Sequence, residues 1–351
     1  MRAVAIITGV ETHLDHLGIL SDILQIPLIV TEDKTFELAK KFYPALDVSL
    51  RYLSDLSLDY LAAHCDVIFE TGKFWAADLA GSLELLYGKK MRFVFCPHGN
   101  SDKGYSLQEL VSQDLSLVYG DHLLDLLKLN GSFDKIKKIV ATGNYRLSYY
   151  LKHKTFYDSL VQKEVFDRFE KNKPVVLYAP TWSNRENSSS FFTATHALIE
   201  QLAGDFNLLI KLHPFLLEHH PAHAYALMGR YEQHPSVLFL TDFPPIYPLL
   251  ERSICYIGDY SSIGYDFLAF DRPLFFISSS KSPSSSYISP LYRCGLTLLS
   301  ENLPRIKEKI YNCKEGSDSY SSIRQETYHY AFGREKSPEE LRQDIFNAIL
   351  K

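Results

Sequence analysis

Short apolar runs alternate with amphipathic stretches through the first half of the chain. The apolar runs are rich in Val, Ile and Phe and end at turn residues; they read AVAIITG, PLIVT, DVIFET and MRFVFCP. Stretches with helical spacing of apolar residues separate them, among them HLGILSDILQ and WAADLAGSLELLYG. Continuous apolar strands that alternate with helices are typical of a parallel sheet covered by helices on both faces. The first half is therefore predicted to be a doubly wound α/β domain.

The alternation restarts after a polar segment in the middle of the chain. The segment YYLKHKTFYDSLVQKEVFDRFEKNK is compatible with helix and ends before Pro174. Four further apolar runs follow it: PVVLYAPTW, FNLLIKLHP, SVLFLTD and ICYIGDYSS. The pattern predicts two α/β domains, residues 1–165 and 166–351, joined by a helical linker. Because ligands of open α/β sheets bind at the carboxyl ends of the strands, the two domains are expected to face a central cleft.

Composition and charge narrow the class of protein. The 351 residues are 46% hydrophobic and 23% charged, which suits two globular domains rather than a disordered chain. The formal net charge of −5 gives no bulk attraction for nucleic acid. We therefore expect no nucleic-acid partner.

The cysteines and the amino terminus bear on the compartment. The 5 cysteines are odd in number and form no CxxC pair, so they are expected to be buried free thiols of a reducing compartment. The start MRAVAIITGV has the character of a first strand rather than of a signal peptide. No window reaches the roughly 18 consecutive apolar residues that span a bilayer. A cytoplasmic protein is expected, and peripheral contact with the inner face of the membrane stays open.

Residues suited to phosphate binding follow one strand of the second half. Ser261 and Ser262 come directly after the run ICYIG, where a helix is expected to begin. Their hydroxyls and the unpaired N–H groups of that first turn can hold a phosphate. Asp259 lies in the same turn. Plain capping of the helix by Asp259 or a serine is the structural alternative.

Two more strand ends of the second half carry candidate chemistry. Lys211 offers a fixed cation, and His213 offers a ring that can donate to a phosphoryl oxygen or exchange a proton. Thr181 can present a hydroxyl and an N–H group, and Trp182 can present a stacking face. A strand-end histidine bonded to a carbonyl is the structural alternative for His213.

Histidines mark two strand ends of the first half. His98 follows the run FVFCP, and Gly99 gives the backbone freedom to turn there. An imidazole that titrates near neutrality is a suitable base for an attacking hydroxyl, and Lys103 lies in the same loop. His13 and His16 lie in the first strand-to-helix connection, where either could bind an acceptor or act as the base instead. No further Cys, His or carboxylate pattern completes a metal site, so neither a metal nor a cofactor is predicted.

Taken in order, the motifs PHGN, LYAPTW, KLHP and GDYSSIGYDFLAFDRPLFF resemble the CDP-glycerol glycerophosphotransferase family. Its members build or prime glycerol-phosphate and ribitol-phosphate polymers such as teichoic acids. The resemblance is strongest from about residue 174 to residue 350 and includes the closing segment YHYAFGREKSPEELRQDIFNAIL. It implies a GT-B fold, that is, two Rossmann-like domains with the nucleotide held mainly by the carboxy-terminal one.

The resemblance also implies a reaction and roles for residues. A CDP-linked donor would pass glycerol phosphate or a related polyol phosphate to an acceptor hydroxyl, and CMP would leave. The implied catalytic residues are His98, as the general base, and His213. The implied ligands of the donor and its phosphates are Thr181, Lys211, Asp259, Ser261 and Ser262. The acceptor, a glycerol-phosphate, lipid-linked or saccharide molecule, would meet His13, His16 and Lys103.

Two positions depart from the family's usual pattern. The family usually has Thr after the His-Gly pair, where this chain has Asn100, and commonly has Thr where this chain has Gly258. The altered loop after His98 supports an alternative, a nucleotide-binding scaffold without catalysis. A GT-B glycosyltransferase that uses a UDP- or GDP-sugar is the other alternative, although no Glu-rich motif suited to holding a sugar is evident. Strongly basic helices of the kind that press many members onto anionic membranes are also missing.

Overall fold

A computed structural model describes residues 1–71, 74–102, 105–183, 189–278, 289–313 and 318–351. The strands are β1 (Ala3–Ile7), β2 (Leu28–Val30), β3 (Val48–Leu50), β4 (Val67–Glu70), β5 (Arg92–Phe95), β6 (Leu115–Val118), β7 (Ile139–Ala141), β8 (Val175–Ala179), β9 (Asn207–Lys211), β10 (Val237–Leu240), β11 (Ser253–Gly258), β12 (Leu274–Ser278) and β13 (Leu296–Leu299). Every strand predicted from the quoted apolar runs is present.

Helices follow most of the strands. They are α1 (Leu17–Leu24), α2 (Asp33–Phe42), α3 (Leu58–His64), α4 (Phe74–Tyr87), α5 (Asp121–Leu129), α6 (Tyr145–Lys152), α7 (Lys154–Glu164), α8 (Phe191–Leu202), α9 (Pro214–His219), α10 (Pro221–Arg230), α11 (Tyr247–Arg252), α12 (Ser262–Phe267), α13 (Ile306–Asn312), α14 (Ser321–Phe332) and α15 (Pro338–Leu350). The predicted helical linker consists of α6 and α7, which are separated at His153.

The chain forms two compact units, each built around one parallel sheet. Unit 1 comprises residues 1–152 and 329–351, and unit 2 comprises residues 153–328. The sheet of unit 1 has the strand order β3-β2-β1-β4-β5-β6-β7, and the sheet of unit 2 has the order β10-β9-β8-β11-β12-β13. All strand pairs are parallel. Both units are therefore doubly wound Rossmann-like domains, as the alternation of runs predicts.

The apolar positions of each pattern face a core of their own. In unit 1, buried side chains of β1 and β4, such as Ile6 and Ile68, pack with Leu83 of α4. In unit 2, Ile210 of β9 and Ile257 of β11 pack with Leu198 of α8. Strands with buried residues on both faces need helices on both sides of the sheet, which explains their continuous apolar sequences.

The end of the chain belongs to unit 1, so the division differs from a single cut between residues 165 and 166. Arg342 of α15 donates from Nε to the carbonyl of Ile23, at 2.9 Å. Close packing near residue 331 also needs glycine, because a Cβ on Gly120 would lie 2.8 Å from the Ala331 carbonyl oxygen. Residues after 328 therefore complete the first unit, although the chain reaches them only after the second.

The cysteines are free thiols, as predicted, and Cys65, Cys96, Cys255 and Cys294 are buried. None of the helices in the described part of the chain is both long and apolar enough to cross a membrane.

Candidate active-site residues at the carboxyl ends of the two sheets

Asp259 of unit 2 binds the backbone just after β8 and just before α8. Its carboxylate oxygen Oδ2 accepts hydrogen bonds from the backbone N–H groups of Thr181, at 2.8 Å, and Ser190, at 3.2 Å. Burial raises the pKa of this carboxyl to about 6, against the opposing effect of these donors. The carboxylate is thus turned into the protein, where it fixes the backbone that carries Thr181.

Tyr256 explains the glycine that precedes Asp259. A Cβ on Gly258 would collide with the Tyr256 hydroxyl and would lie 2.7 Å from the carbonyl oxygen of Ala179. The Tyr256 hydroxyl donates to the carbonyl oxygen of Asp259, at 3.1 Å, and lies 3.2 Å from Ser261 Oγ. In this chain a tyrosine hydroxyl therefore fills the space that a side chain at position 258 would need.

The same contacts distinguish the two serines. The Tyr256 hydroxyl has a single hydrogen and lies within reach of the carbonyl oxygens of Ala179 and Asp259, so donation from Ser261 to Tyr256 satisfies the most contacts. The Ser262 hydroxyl makes no hydrogen bond to any other described residue. Of the two serines, Ser262 keeps its donor available at the surface of unit 2.

Tyr260, between Asp259 and the serines, is held by stacking. Its ring lies 4.6 Å from that of Phe276 and 3.7 Å from that of Tyr292, centroid to centroid, and its hydroxyl bonds to Thr297 Oγ1 at 2.7 Å. These contacts tie the turn after β11 to β12 and β13. Sequence reasoning gave Tyr260 no role, since an aromatic residue inside a polar motif has no distinctive spacing.

His213 caps α9 through its ring. Its Nδ1 accepts from the backbone N–H of Phe215 at 3.2 Å, so the hydrogen of a neutral ring lies on Nε2. The ring centroid lies 6.0 Å from that of Trp182. Lys211, two residues earlier, is buried at the end of β9. A neutral ring that caps in this way has Nε2–H as its donor group.

His13 and His98 lie together in unit 1. His13 belongs to a short 3₁₀ helix, Glu11–Asp15, that follows β1, and its ring centroid lies 5.0 Å from that of His98. Its Nδ1 bonds to Thr71 Oγ1 at 2.7 Å. Burial, followed by the charge of His98, holds the pKa of His13 well below its usual range. His13 is therefore neutral near pH 7, beside the more exposed ring of His98.

His16, three residues after His13, is buried. Its Nδ1 is 2.8 Å from the Tyr119 hydroxyl, which in turn donates to the carbonyl oxygen of Pro97. Burial is the main reason that the pKa of His16 is lowered, and Arg146 adds to it. A buried ion pair between Arg146 and Asp15, at 2.5 Å, ties the 3₁₀ helix to α6. His16 thus contributes to the support of this corner rather than to its surface.

Glu70, at the end of β4, is a buried acid that the sequence analysis missed. Its Oε1 accepts from Gln113 Nε2 at 2.8 Å, whereas Glu70 Oε2 and Gln113 Oε1 have no hydrogen-bond partner. Burial raises the pKa of Glu70 to about 7. A proton on Oε2 directed at Gln113 Oε1 would satisfy both atoms, because an acid and an amide form paired hydrogen bonds. The sequence signal that could have identified this buried acid is a single Glu inside the apolar run DVIFET.

The loop after His98 turns at Gly99, whose φ is +139°. Asn100, the residue that departs from the family pattern, is fully buried. It is hydrogen bonded to His122, another residue that the sequence analysis did not single out. The side chain of Asn100 therefore ties this loop to α5.

The predicted residues form one group in each unit. In unit 1, His13, His16 and His98 meet at the carboxyl ends of β1 and β5, whereas Lys103 lies outside the described residues. In unit 2, the backbone of Thr181 meets Asp259, and Trp182 beside it meets His213. Within the described ranges, no group of three or more His, Cys, Asp or Glu side chains could hold a metal ion.

One cavity of unit 1 lies away from these residues. It has a volume of about 650 Å³ and is lined by residues at the amino ends of the strands of unit 1, among them Ala3, Pro27 and Cys65. Ligands of doubly wound sheets bind at the opposite, carboxyl ends. The histidines and hydroxyls described above are the better candidates on chemical grounds.

Comparison with known proteins points to one family. The family model described as CDP-Glycerol:Poly(glycerophosphate) glycerophosphotransferase matches residues 105–283. The teichoic acid ribitol-phosphate primase of Bacillus spizizenii is 28% identical over 150 residues, which cover 40% of this chain and 35% of the primase. The teichoic acid glycerol-phosphate transferase of Staphylococcus aureus is 30% identical over 112 residues, which cover 30% of this chain and 26% of the transferase. The matches span about a third or less of these curated relatives.

Solved structures share the whole fold. The wall teichoic acid polymerase TagF matches with a TM-score of 0.70 at 14% identity, over 99% of this chain and 88% of the TagF chain. The structure of S. aureus MnaA with UDP matches with a TM-score of 0.63 at 15% identity, over 99% and 96% of the two chains. The two Rossmann-like units therefore have the GT-B fold.

Proposed function

The chain belongs to the CDP-glycerol:poly(glycerophosphate) glycerophosphotransferase family, and we propose that it transfers glycerol phosphate or a related polyol phosphate from a CDP-linked donor to an acceptor hydroxyl. In this reaction the acceptor oxygen forms a bond to the phosphorus that bears the polyol. The phosphoanhydride bond to the cytidine-bearing phosphate breaks, and CMP leaves. Teichoic-acid-like polymers of the cell envelope are the corresponding class of product.

One observation carries the proposal. The family match over residues 105–283 includes Thr181, Lys211, His213 and the segment 259–262, and all of them lie at the carboxyl ends of strands in a single sheet. Sequence similarity and position in the fold thus point to the same edge of unit 2.

Unit 2 supplies the donor side of the proposed reaction. Transfer of a phosphoryl group requires that the diphosphate be held and that charge developing on its oxygens be offset. Nε2–H of His213, the ammonium group of Lys211 and the hydroxyls of Ser262 and Thr181 are suited to this. Asp259 acts through the backbone it holds, since a carboxylate facing a diphosphate would repel it.

Unit 1 supplies the acceptor side. His98 is exposed and can take the proton of the attacking hydroxyl as a general base. His13 is neutral beside it, so its ring can hydrogen bond an acceptor hydroxyl without holding a competing charge. His16 is buried and bonds to Tyr119 in the same unit, and Lys103 stays a predicted acceptor ligand.

The experiment that tests the proposal has two parts. Thermal unfolding is followed with CMP, CDP-glycerol, CDP-ribitol, UDP-N-acetylglucosamine and GDP-mannose, because a ligand that binds only the folded state raises Tm. CMP release from CDP-glycerol and CDP-ribitol is then measured with a glycerol-phosphate acceptor. We expect Tm to rise with the cytidine ligands and CMP to be released.

Two results would contradict the proposal. A rise in Tm with UDP-N-acetylglucosamine or GDP-mannose alone would favour the glycosyltransferase alternative. Binding of cytidine ligands with no release of CMP under any acceptor would favour the scaffold. The variant His213→Ala should weaken binding of the cytidine ligands, and His234→Ala is its matched control. His234 Nδ1 also accepts a hydrogen bond from the N–H group two residues later, that of Ser236, at 3.2 Å, but His234 lies before the amino end of β10.

A further inference from the structure

A buried polar cluster holds the loop that carries His98. Asn100 Nδ2 donates to the carbonyl oxygen of Ala331 at 3.0 Å, and Asn100 Oδ1 lies 2.8 Å from His122 Nδ1. The other ring nitrogen, His122 Nε2, lies 2.9 Å from Asp102 Oδ1. Asn100 and His122 are both fully buried. The side chains of Asn100, Asp102 and His122, with the Ala331 carbonyl, are called the loop clamp below.

The donors and acceptors of the loop clamp allow only one arrangement. A carbonyl oxygen accepts and never donates, so Ala331 fixes the amide of Asn100 with its oxygen towards His122. His122 Nδ1 must then carry a hydrogen, and one hydrogen lies between Nε2 and Asp102 Oδ1. Loss of His122 would take this hydrogen bond from the buried amide oxygen of Asn100.

The loop clamp is anchored on elements outside the loop. His122 lies in the first turn of α5, and its ring meets the ring of Tyr330 edge to face at 5.6 Å. Tyr330 in turn donates to Asp125 Oδ2 of α5 at 2.9 Å. His98 is two residues from Asn100, and Gly99 between them has the conformational freedom that only glycine has. A loop with such a hinge needs an anchor to hold one geometry.

We propose that Asn100, Asp102 and His122 are positioning residues that fix the His98 loop for the transfer reaction. The carbonyl of Ala331 completes the arrangement, so the segment after residue 328 is part of the acceptor side. This inference rests on the proposed function, because the geometry of His98 affects turnover only if His98 acts on the acceptor. The family usually has Thr at the position of Asn100. If Asn100 positions the loop, its presence does not indicate that catalysis has been lost.

Two variants test the loop clamp, with a third as control. His122→Phe keeps a ring against Tyr330 but removes both hydrogen bonds, and Asn100→Ala removes the amide. We expect kcat for CMP release to fall about ten- to a hundredfold, while KM for the donor changes by less than about twofold. Hydrogen exchange of residues 96–102 should become faster. His64→Phe, which alters an exposed histidine of the same unit bonded to Tyr60, should change neither quantity.

A second pair of variants covers the case in which His122→Phe or Asn100→Ala fails to fold. Asp102 is partly exposed, so its replacement should leave unit 1 intact. Asp102→Asn and Asp102→Ala both remove the charge, but only Asp102→Asn keeps a side chain that can hydrogen bond with His122 Nε2. We expect Asp102→Asn to retain most of kcat and Asp102→Ala to lose about three- to tenfold, the size of one hydrogen bond.

The outcomes separate this inference from the proposed function. Unchanged kcat in folded variants would overturn the positioning role. A rise in the KM for the donor with no fall in kcat would overturn it as well. If the wild-type protein releases no CMP at all, the proposed function fails, and exchange of residues 96–102 decides on the loop clamp. Faster exchange in His122→Phe would then support it, and unchanged exchange would overturn it.

Discussion

The two candidate sites are built from different chemistry on the same kind of sheet. The site of unit 1 consists of imidazoles, His13, His16 and His98, with the buried acid Glu70 at the end of a neighbouring strand. The site of unit 2 consists of hydroxyls, a lysine and a ring whose tautomer is fixed by a helix cap. Side chains that can take up a proton suit proton transfer, and fixed donors suit the binding of an anion.

The comparison also shows how each unit accommodates a departure from the family pattern. In unit 2, glycine at position 258 is matched by the hydroxyl of Tyr256, which takes up the space beside it. In unit 1, Asn100 is matched by His122, whose Nδ1 is hydrogen bonded to the Asn100 side-chain oxygen. In both cases the changed position is in contact with a side chain that fits it: Tyr256, two residues before Gly258, and His122, 22 residues after Asn100.

The largest effect is expected from His98→Ala. Loss of a general base reduces turnover by about a hundred- to ten-thousandfold. Donor affinity should be unchanged, because the proposed donor ligands belong to unit 2. CMP release and calorimetric titration with CDP-glycerol measure the two quantities. If His98→Ala released CMP at the wild-type rate, the division of labour between the units would be wrong, and His13 would be the next candidate for the base.

Glu70→Gln tests whether unit 1 contains a buried acid that titrates near neutrality. The folded state raises the pKa of Glu70 from 4.5 to about 7. The stabilisation from the bound proton is thus fully present below pH 4.5 and is lost as the pH rises to 7. Glutamine keeps the paired hydrogen bonds with Gln113 and has no proton to lose. At about 1.4 kcal/mol per pKa unit, the variant should gain roughly 3 kcal/mol on wild type between pH 4.5 and pH 8.

Urea unfolding at pH 5 and pH 8 measures this difference. Glu84→Gln is the matched control, because Glu84 lies on α4 with its side chain exposed, and it should follow the wild type at both pH values. Equal stability of Glu70→Gln and wild type at both pH values would mean that Glu70 is ionised in the folded protein without cost.

Sequence patterns predicted the strands well because periodicity and turn residues are local properties. The strand ends after β8, β9 and β11 were therefore found together with their polar residues. The partners of these residues were not, since the bond between Thr181 and Asp259 joins positions 78 apart and that between Asn100 and Ala331 joins positions 231 apart. Asp259 was assigned to the diphosphate because its motif resembles that of the family, and only the fold shows its carboxylate turned to backbone N–H groups.

His213 should show a smaller effect than His98, on donor binding rather than on turnover alone. His213→Ala removes both the cap of α9 and the Nε2–H donor, whereas His213→Asn keeps a capping oxygen. A charge-assisted hydrogen bond to a phosphate contributes about 1.5–3 kcal/mol, so donor affinity should fall roughly ten- to a hundredfold in both variants. Only His213→Ala should also lower Tm. Full affinity in His213→Asn would limit His213 to capping.

The smallest effect separates the two serines of unit 2. Ser262 has a hydroxyl donor available, whereas that of Ser261 is directed at Tyr256. Ser262→Ala should therefore weaken binding of CDP-glycerol by about three- to tenfold, the size of one neutral hydrogen bond, and Ser261→Ala should weaken it by less. Titration calorimetry of both variants measures the difference, and equal losses would mean that Ser261 turns away from Tyr256 when the donor binds.

Tyr256→Phe makes this last distinction sharper, because it removes the acceptor that holds the Ser261 hydroxyl. In that background Ser261 is free to donate to the diphosphate, and Ser262→Ala should cost less affinity than it does beside Tyr256. The difference between the two costs is the coupling energy of a double-mutant cycle and isolates the competition of Tyr256 for Ser261. A coupling energy of zero would show that Tyr256 acts on the turn only through the carbonyl oxygen of Asp259, to which it also donates. The hydroxyls of Ser261 and Ser262 would then be equally available to the donor in the proposed anion site of unit 2.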